Sequence, residues 1–257
     1  MHKPPVFHFL IQVVFNPVTA MKEHVVALQE QFRQRGFTDY AEETGTEVRV
    51  EAGPVLRAQQ STHTRWLFGR PDRSEGFVLV QNALIYYSNH YKGFNSHCKA
   101  CLLEGIDLVH KAVGLDFVER IGMRYLDAVL PEGDAGLSDL VIDSLLGAYR
   151  LLPGELEHRF AEVRKSLKGG ELVFRSLITP NGVTVPPDLA DTRLALSPAL
   201  AQFQGEALVM DMDYFVVRRQ DFSIAAIAAQ LDASHDILIE AFKTVLTEEA
   251  RQTWLEQ

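Results

Sequence analysis

Three groups of side chains in this sequence have types and spacings that chemistry uses. The first is His97-Cys98-Lys-Ala-Cys101, with His90 and His110 nearby. Imidazole and thiolate are zinc ligands, but a structural zinc site takes four convergent donors, usually as paired knuckles, and no second cysteine pair occurs. Cys98 and Cys101 also fall in an apolar helical stretch, where free cysteine is a common small hydrophobe. Adjacent helical residues point in different directions, so His97 and Cys98 cannot form a nucleophile–base pair. No metal, no cofactor and no catalytic residue is assigned from this motif.

The second group is Asp211 and Asp213, two apart on a strand and therefore on one face. Paired carboxylates can hold a divalent cation or work as acid and base. The third is Arg120 and Arg124, on one face of the stretch Phe117–Pro131, with Tyr125 on the other. The plainer reading of the second and third groups together is a charge match across a sheet, provided that their strands share one. His235 sits between Leu231 and Leu238 on an apolar helix face, where histidine is usually a core residue with one hydrogen bond. Lys168-Gly-Gly lacks the phosphate-loop spacing, and no G-x-G-x-x-G occurs. Arg218, Arg219, Lys99 and Arg65 have no interleaved aromatics to make a nucleic-acid platform. The candidate binding set is Arg120, Arg124, Tyr125, Asp211, Asp213 and His235.

The elements that must position these residues follow from periodicity. Phe117–Leu130 alternates with period two: Ile121, Met123, Tyr125 and Val129 face one way, and Pro131 closes the strand. Val6–Phe15 reads as a buried strand ending at Asn16-Pro17. Met21–Arg35 is a helix with Val25, Leu28 and Phe32 on one side and Gly36 as its stop. Short strands follow near 46–51, 64–69, 76–80 and 83–91, then a helix over Asn95–Val113. In the second half, Ser138 is the expected N-cap of a helix over Leu140–Tyr149. Strands near 157–166 and 171–178 lead to the irregular Thr179–Ala201, expected at the surface. A strand at Ala207–Arg218 precedes a helix over Ser223–Leu246, capped by Ser223, and Thr247 caps a last short helix. Aligning His110 with His235 pairs Leu102 with Ile227, Ile106 with Leu231 and Val113 with Leu238, a possible internal duplication.

The chain has 257 residues, two cysteines and a formal net charge of -9. That charge argues against broad phosphate-backbone binding, and two cysteines cannot build a disulfide framework. The apolar run Val6–Phe15 is too short to span a bilayer and lacks the flanks of a signal peptide. A cytoplasmic protein is expected, with no membrane association.

Four stretches carry a family resemblance. They are Pro4-Pro-Val-Phe-His-Phe-Leu-Ile-Gln-Val-Val-Phe15, the strand with Gln81 and Tyr87, Arg120-Ile-Gly-Met-Arg-Tyr-Leu-Asp127, and Asp211-Met-Asp213 with a later helix containing His235 and Phe242. In that order they resemble a sporadically distributed family of uncharacterised prokaryotic proteins whose central motif is commonly Gly-Leu-Arg-Tyr-Ile-Asn-Arg-Ile. This chain keeps Gly122, Arg124 and Tyr125 but has Asp127 for the Asn and Ala128 for the second Arg. The resemblance implies no established enzymatic activity. It does imply a place among accessory genes, including prokaryotic antiviral defence loci of the CRISPR or toxin–antitoxin type.

The sequence therefore predicts an α+β protein: antiparallel sheets covered by long helices, as two similar modules near 1–131 and 132–257 or as one continuous domain. The function expected is a non-enzymatic adaptor or regulatory subunit that binds another protein encoded nearby, using Thr179–Ala201 and exposed sheet edges. The alternatives are a small-anion-binding or hydrolytic domain using Arg120, Arg124, Asp211 and Asp213, and an RNA-binding accessory protein.

Overall fold

The computed structural model describes residues 5–51, 57–167, 169–189 and 194–254. Its strands are β1 (Val6–Phe15), β2 (Asp39–Glu51), β3 (Arg57–Gly69), β4 (Glu75–Val80), β5 (Ala83–Ser88), β6 (Phe117–Val129), β7 (Arg159–Leu167), β8 (Gly170–Thr179) and β9 (Ala207–Asp221). The helices are α1 (Met21–Gln34), α2 (Lys99–Val113), α3 (Leu137–Leu140), α4 (Asp143–Leu146), α5 (Pro198–Ala201), α6 (Ile224–Val245) and α7 (Glu248–Trp254). All nine strands form one antiparallel sheet in the order β2-β3-β4-β5-β1-β6-β9-β8-β7. The α+β class expected from the sequence is the class found. The expected boundary near residue 131 falls inside this sheet, because β6 from the first half pairs with β9 from the second.

One face of the sheet buries the large core. Phe9, Ile11, Val13 and Phe15 of β1 join Ile121, Met123, Tyr125 and Val129 of β6 and Met210, Met212 and Tyr214 of β9. Val25, Leu28 and Phe32 of α1, Leu102, Ile106 and Val109 of α2, and Ile227, Leu231, Leu238 and Phe242 of α6 close over them. Each set repeats at three, four or seven residues, so one stripe per helix meets the sheet. At about 25 cal/mol per Å² of apolar surface removed from water, this burial is the main force holding the layers together. Val118 and Ile121 reach the same core although three apart, because a bulge between Val118 and Arg120 inserts an extra residue of β6 opposite β1.

The opposite face is partly covered. Val183, Val185, Leu189, Leu194, Leu196 and Leu200 pack on Phe7, Leu126, Ala128 and Val209. Thr179–Ala201, expected as surface, is therefore a strap whose apolar side is buried against the sheet; positions 190–193 lie outside the described residues.

Several boundaries differ from the sequence expectations. The helix expected from Asn95 begins as a π-helical turn, Phe94–Cys98, before α2. The helix expected over Leu140–Tyr149 is broken into α3, α4 and a 3₁₀ segment, Gly147–Leu151. Ser138 does not cap it: α3 starts one residue earlier, and Asp139 accepts from the Gly136 N–H at 2.7 Å. The break has a tertiary cause, since Val141 bridges to Leu246 and the Ile142 N–H donates to the Val245 carbonyl. Ser223 and Thr247 do cap α6 and α7, through the Ala226 and Ala250 N–H groups. No helix among the described residues is long and apolar enough to cross a membrane.

Candidate functional site

On the face of β6 turned away from the helices, Arg120, Gly122 and Arg124 follow one another at alternate positions. On the neighbouring β9, Asp211 and Asp213 face the same way, with Arg124 opposite Asp213 and Leu126 opposite Asp211. Arg124 reaches diagonally rather than straight across. Its Nε and Nη2 donate to the two oxygens of Asp211 at 2.6 and 2.7 Å. Its Nη1 and Nη2 also donate to Asp188 at 2.6 and 3.2 Å. Arg175 on β8 adds a 3.1 Å bond to Asp211 and a 2.7 Å bond to Glu162 on β7. The result is an alternating series, Asp188–Arg124–Asp211–Arg175–Glu162, running from the strap across four strands.

Arg120 is held separately. It donates to Gln12 Oε1, lies 4.6 Å above the Phe215 ring and comes within 4.0 Å of Asp213. A Cβ on residue 122 would sit 2.8 Å from Arg120 Nη1, so glycine there lets the guanidinium lie across β6. The charges follow from these contacts. Burial works against the Arg124 cation, but bonds to Asp211 and Asp188 more than offset it and raise its pKa. Burial pushes Asp213 up against the opposing pull of Arg120 and Arg124. Asp188 is held low chiefly by its bond to Arg124.

Tyr125 and His235 lie on the other side of the sheet. The Tyr125 hydroxyl meets His235 Nδ1 at 2.9 Å and the Tyr91 hydroxyl at 3.3 Å. His235 also stacks on Phe94, ring centres 4.2 Å apart. Burial lowers the His235 pKa, and burial with Tyr91 raises that of Tyr125. These are neutral groups knitting α6 to the sheet. The six candidate residues thus divide into a charged cluster on one face and a neutral pair beneath a helix.

The cluster has the composition of a structural ion-pair network. Four of the five N–H groups on Arg124 are used within the chain, leaving little to grip an anion. Asp211 carries three bonds from two arginines, so neither of its oxygens is a poised base. Cys98 is fully buried and burial pushes its thiol up to about 12; Cys101 is pushed up to about 11 for the same reason. Thiols so raised are poor nucleophiles near neutral pH. Of the scattered cations, Lys99 pairs with Asp232, Arg65 with Glu43, and Arg219 covers Phe117.

Sequence reasoning missed Arg175, Asp188, Glu162 and Gln12 as members of the cluster. Arg175 and Glu162 carried a period-two signal, but no local pattern says that β8 borders β9. Asp188 carried none, because it comes from the irregular strap. Comparison of the chain with family models, with curated proteins and with solved structures returns no match.

Proposed function

We propose that the chain is a non-enzymatic, cytoplasmic adaptor or regulatory subunit, accessory to a prokaryotic defence system, and that it docks another protein along the β7 edge of its sheet. One observation carries this reading. Eight large hydrophobic side chains are exposed among the described residues, and five of them, Leu151, Leu152, Phe160, Val163 and Leu167, fall on β7 or on the 3₁₀ segment and loop before it. Concentrated apolar exposure marks interaction surfaces, whereas scattered single residues do not.

β7 ends the sheet, so its outer main-chain groups have no neighbouring strand among the described residues. Beside it runs an apolar groove of about 520 Å³, lined by Val163, Leu167, Leu172, Phe174, Ile237 and Ala241. The strand carries Arg159, Arg164 and Lys165 against the single acid Glu162, a basic edge on a chain of net charge -9. Glu162 is already neutralised by Arg175, while Arg164 lies 3.8 Å from Glu171 on β8, so Arg159 and Lys165 carry most of the edge's positive charge. These features suit an extended segment with alternating apolar side chains and acidic flanks, added as a further strand. Main-chain pairing would supply affinity and the groove selectivity.

The strand order also supports two repeats, with the boundary before β6 rather than at residue 131. In one, β1 pairs with β5, the last strand of the β2–β5 meander; in the other, β6 pairs with β9, the last of β7–β9. In each, the helix after the meander, α2 or α6, packs back on its own half and touches the other.

The test is capture of a stoichiometric partner from the native host by the tagged wild type and by Val163→Asp. Loss of that partner in the variant, with unchanged melting, is the expected result. A partner held equally by both proteins, or none held by the wild type, counts against the reading.

A further inference from the structure

A second cluster lies in the other half of the sheet, on β4, and plays no part in docking at β7. Glu75 opens β4, and its carboxylate is buried at 1 % exposure. His97 and Cys101 are four residues apart across the junction of the π-helical turn and α2, so both side chains leave the helix on one face. His97 Nε2 lies 2.6 Å from Glu75 Oε2 and 3.4 Å from Cys101 Sγ. One carboxylate oxygen, one imidazole nitrogen and one sulfur all fall within 4.8 Å of one another. We propose that Glu75, His97 and Cys101 form a binding site for one divalent cation of the zinc type.

The donor set fits that class. Mixed nitrogen, sulfur and oxygen ligands select a borderline ion, while calcium and magnesium ask for oxygen alone. A tetrahedral zinc ion sets its nitrogen and oxygen ligands roughly 3.3 Å apart and its nitrogen and sulfur roughly 3.6 Å apart. The His97–Cys101 spacing of 3.4 Å is near that already. The His97–Glu75 pair has to part by less than about 1 Å, as the ion replaces the proton between them. Thiolate and carboxylate together neutralise a dication.

The surroundings leave the site open to an ion. Arg70 donates to Glu75 Oε1, and Lys92 lies 3.8 Å from that same oxygen, so both cations are on the far side of the carboxylate. The Tyr86 hydroxyl donates to Oε2 at 2.6 Å and fixes its direction, as outer partners of metal ligands do. His97 and Cys101 are only part-buried, which gives an entry path and leaves a fourth position for water. The wide π turn places His97 over Glu75, and such turns recur at functional sites. Adjacency in sequence drew attention to His97 with Cys98, but Cys98 turns inward, 4.0 Å from the Tyr86 hydroxyl. The useful pair is His97 with Cys101, completed by a strand residue 22 positions earlier.

The test is titration of the metal-stripped full chain with Co²⁺, followed by displacement with Zn²⁺. The wild type should bind one equivalent, with a thiolate-to-cobalt charge-transfer band in the near ultraviolet. Cys101→Ser should abolish that band, and His97→Gln should weaken Co²⁺ binding about tenfold or more. Cys98→Ser should leave the band intact. Alkylation of the unsubstituted protein gives a second readout that does not depend on a variant folding: Zn²⁺ should protect Cys101. No charge-transfer band, equal Co²⁺ affinity in wild type and His97→Gln, or alkylation of Cys101 unaffected by Zn²⁺ would overturn the proposal.

Discussion

Arg124 and Asp211 meet in two parallel hydrogen bonds of 2.6 and 2.7 Å, one diagonal step away from the directly opposed pair of β6 and β9. Their side chains are 12 % and 3 % exposed, so each shields the other from a low-dielectric setting. Breaking a buried pair by removing one partner costs about 3–5 kcal/mol, because the survivor is left uncompensated. Arg175 still bonds Asp211 when Arg124 is lost, so Arg124→Ala should fall near the lower end. Arg124→Met with Asp211→Leu should cost less than the sum of the two single changes, and urea melts of the four proteins read the coupling. If Arg124→Ala melts like the wild type but loses an anion-induced stabilisation, the cluster is a ligand site instead.

Gly122 gives a prediction whose sign depends on a neighbour. Its added Cβ would press on the Arg120 guanidinium at 2.8 Å, the far end of a flexible side chain. Gly122→Ala should therefore destabilise the wild type by no more than about 1.5 kcal/mol. In an Arg120→Ala background the obstacle is gone. There the same change should stabilise by about 0.4–1 kcal/mol, since alanine restricts the unfolded chain. Chemical denaturation of both pairs checks the reversal.

Asp127 is fully buried, and its Oδ2 has no hydrogen-bond partner among the described residues. Burial, with Asp211 nearby, pushes its pKa up to about 8 from an ordinary 3.8. The folded state thus holds a proton that the unfolded chain releases, and this contribution is full below pH 3.8 and lost as pH rises to 8. A neutral Asp127 is close in shape and charge to asparagine, the residue common in the motif that this stretch resembles. Asp127→Asn should gain on the wild type by roughly 2 kcal/mol between pH 6.5 and 8, and melts across that range measure it.

His8 has the opposite slope. Its Nδ1–H donates to Asn89 at 2.7 Å, its Nε2 is buried without a partner among the described residues, and burial lowers its pKa to about 4. Unfolding then takes up a proton between pH 4 and 6.5, so stability is full above 6.5 and lost as pH falls toward 4, by about 3 kcal/mol. In that window His8 and Asp127 oppose one another. Asp127→Asn should uncover a stability that rises from pH 4 to 6.5 and then levels. His8→Gln should instead leave one that falls from pH 4 to 8. Parallel profiles in the two variants would refute both assignments.

Much of what orders this molecule is local and could be read from the chain. Alternation along 117–130 separates Arg120 and Arg124 from Ile121, Met123, Tyr125 and Val129, because successive strand side chains point to opposite faces. The stripes of α1, α2 and α6, and the caps Ser223 and Thr247, follow from the helical repeat and from hydroxyls that satisfy orphan N–H groups. Opposite charge on two strand faces suggested that Arg120 and Arg124 would meet Asp211 and Asp213, and they do.

What the chain could not decide is which strands become neighbours. Sheet order is settled by the joint burial of residues a hundred positions apart, and period two is the same whichever strand lies alongside. That choice brings Arg175 and Asp188 to Arg124 and Asp211, sends Tyr125 to His235 on the far face, and leaves β7 as an edge. It also seats Glu75 against His97 and Cys101. Each of these is a meeting of segments whose own patterns are complete without the other, so only the folded packing could join them.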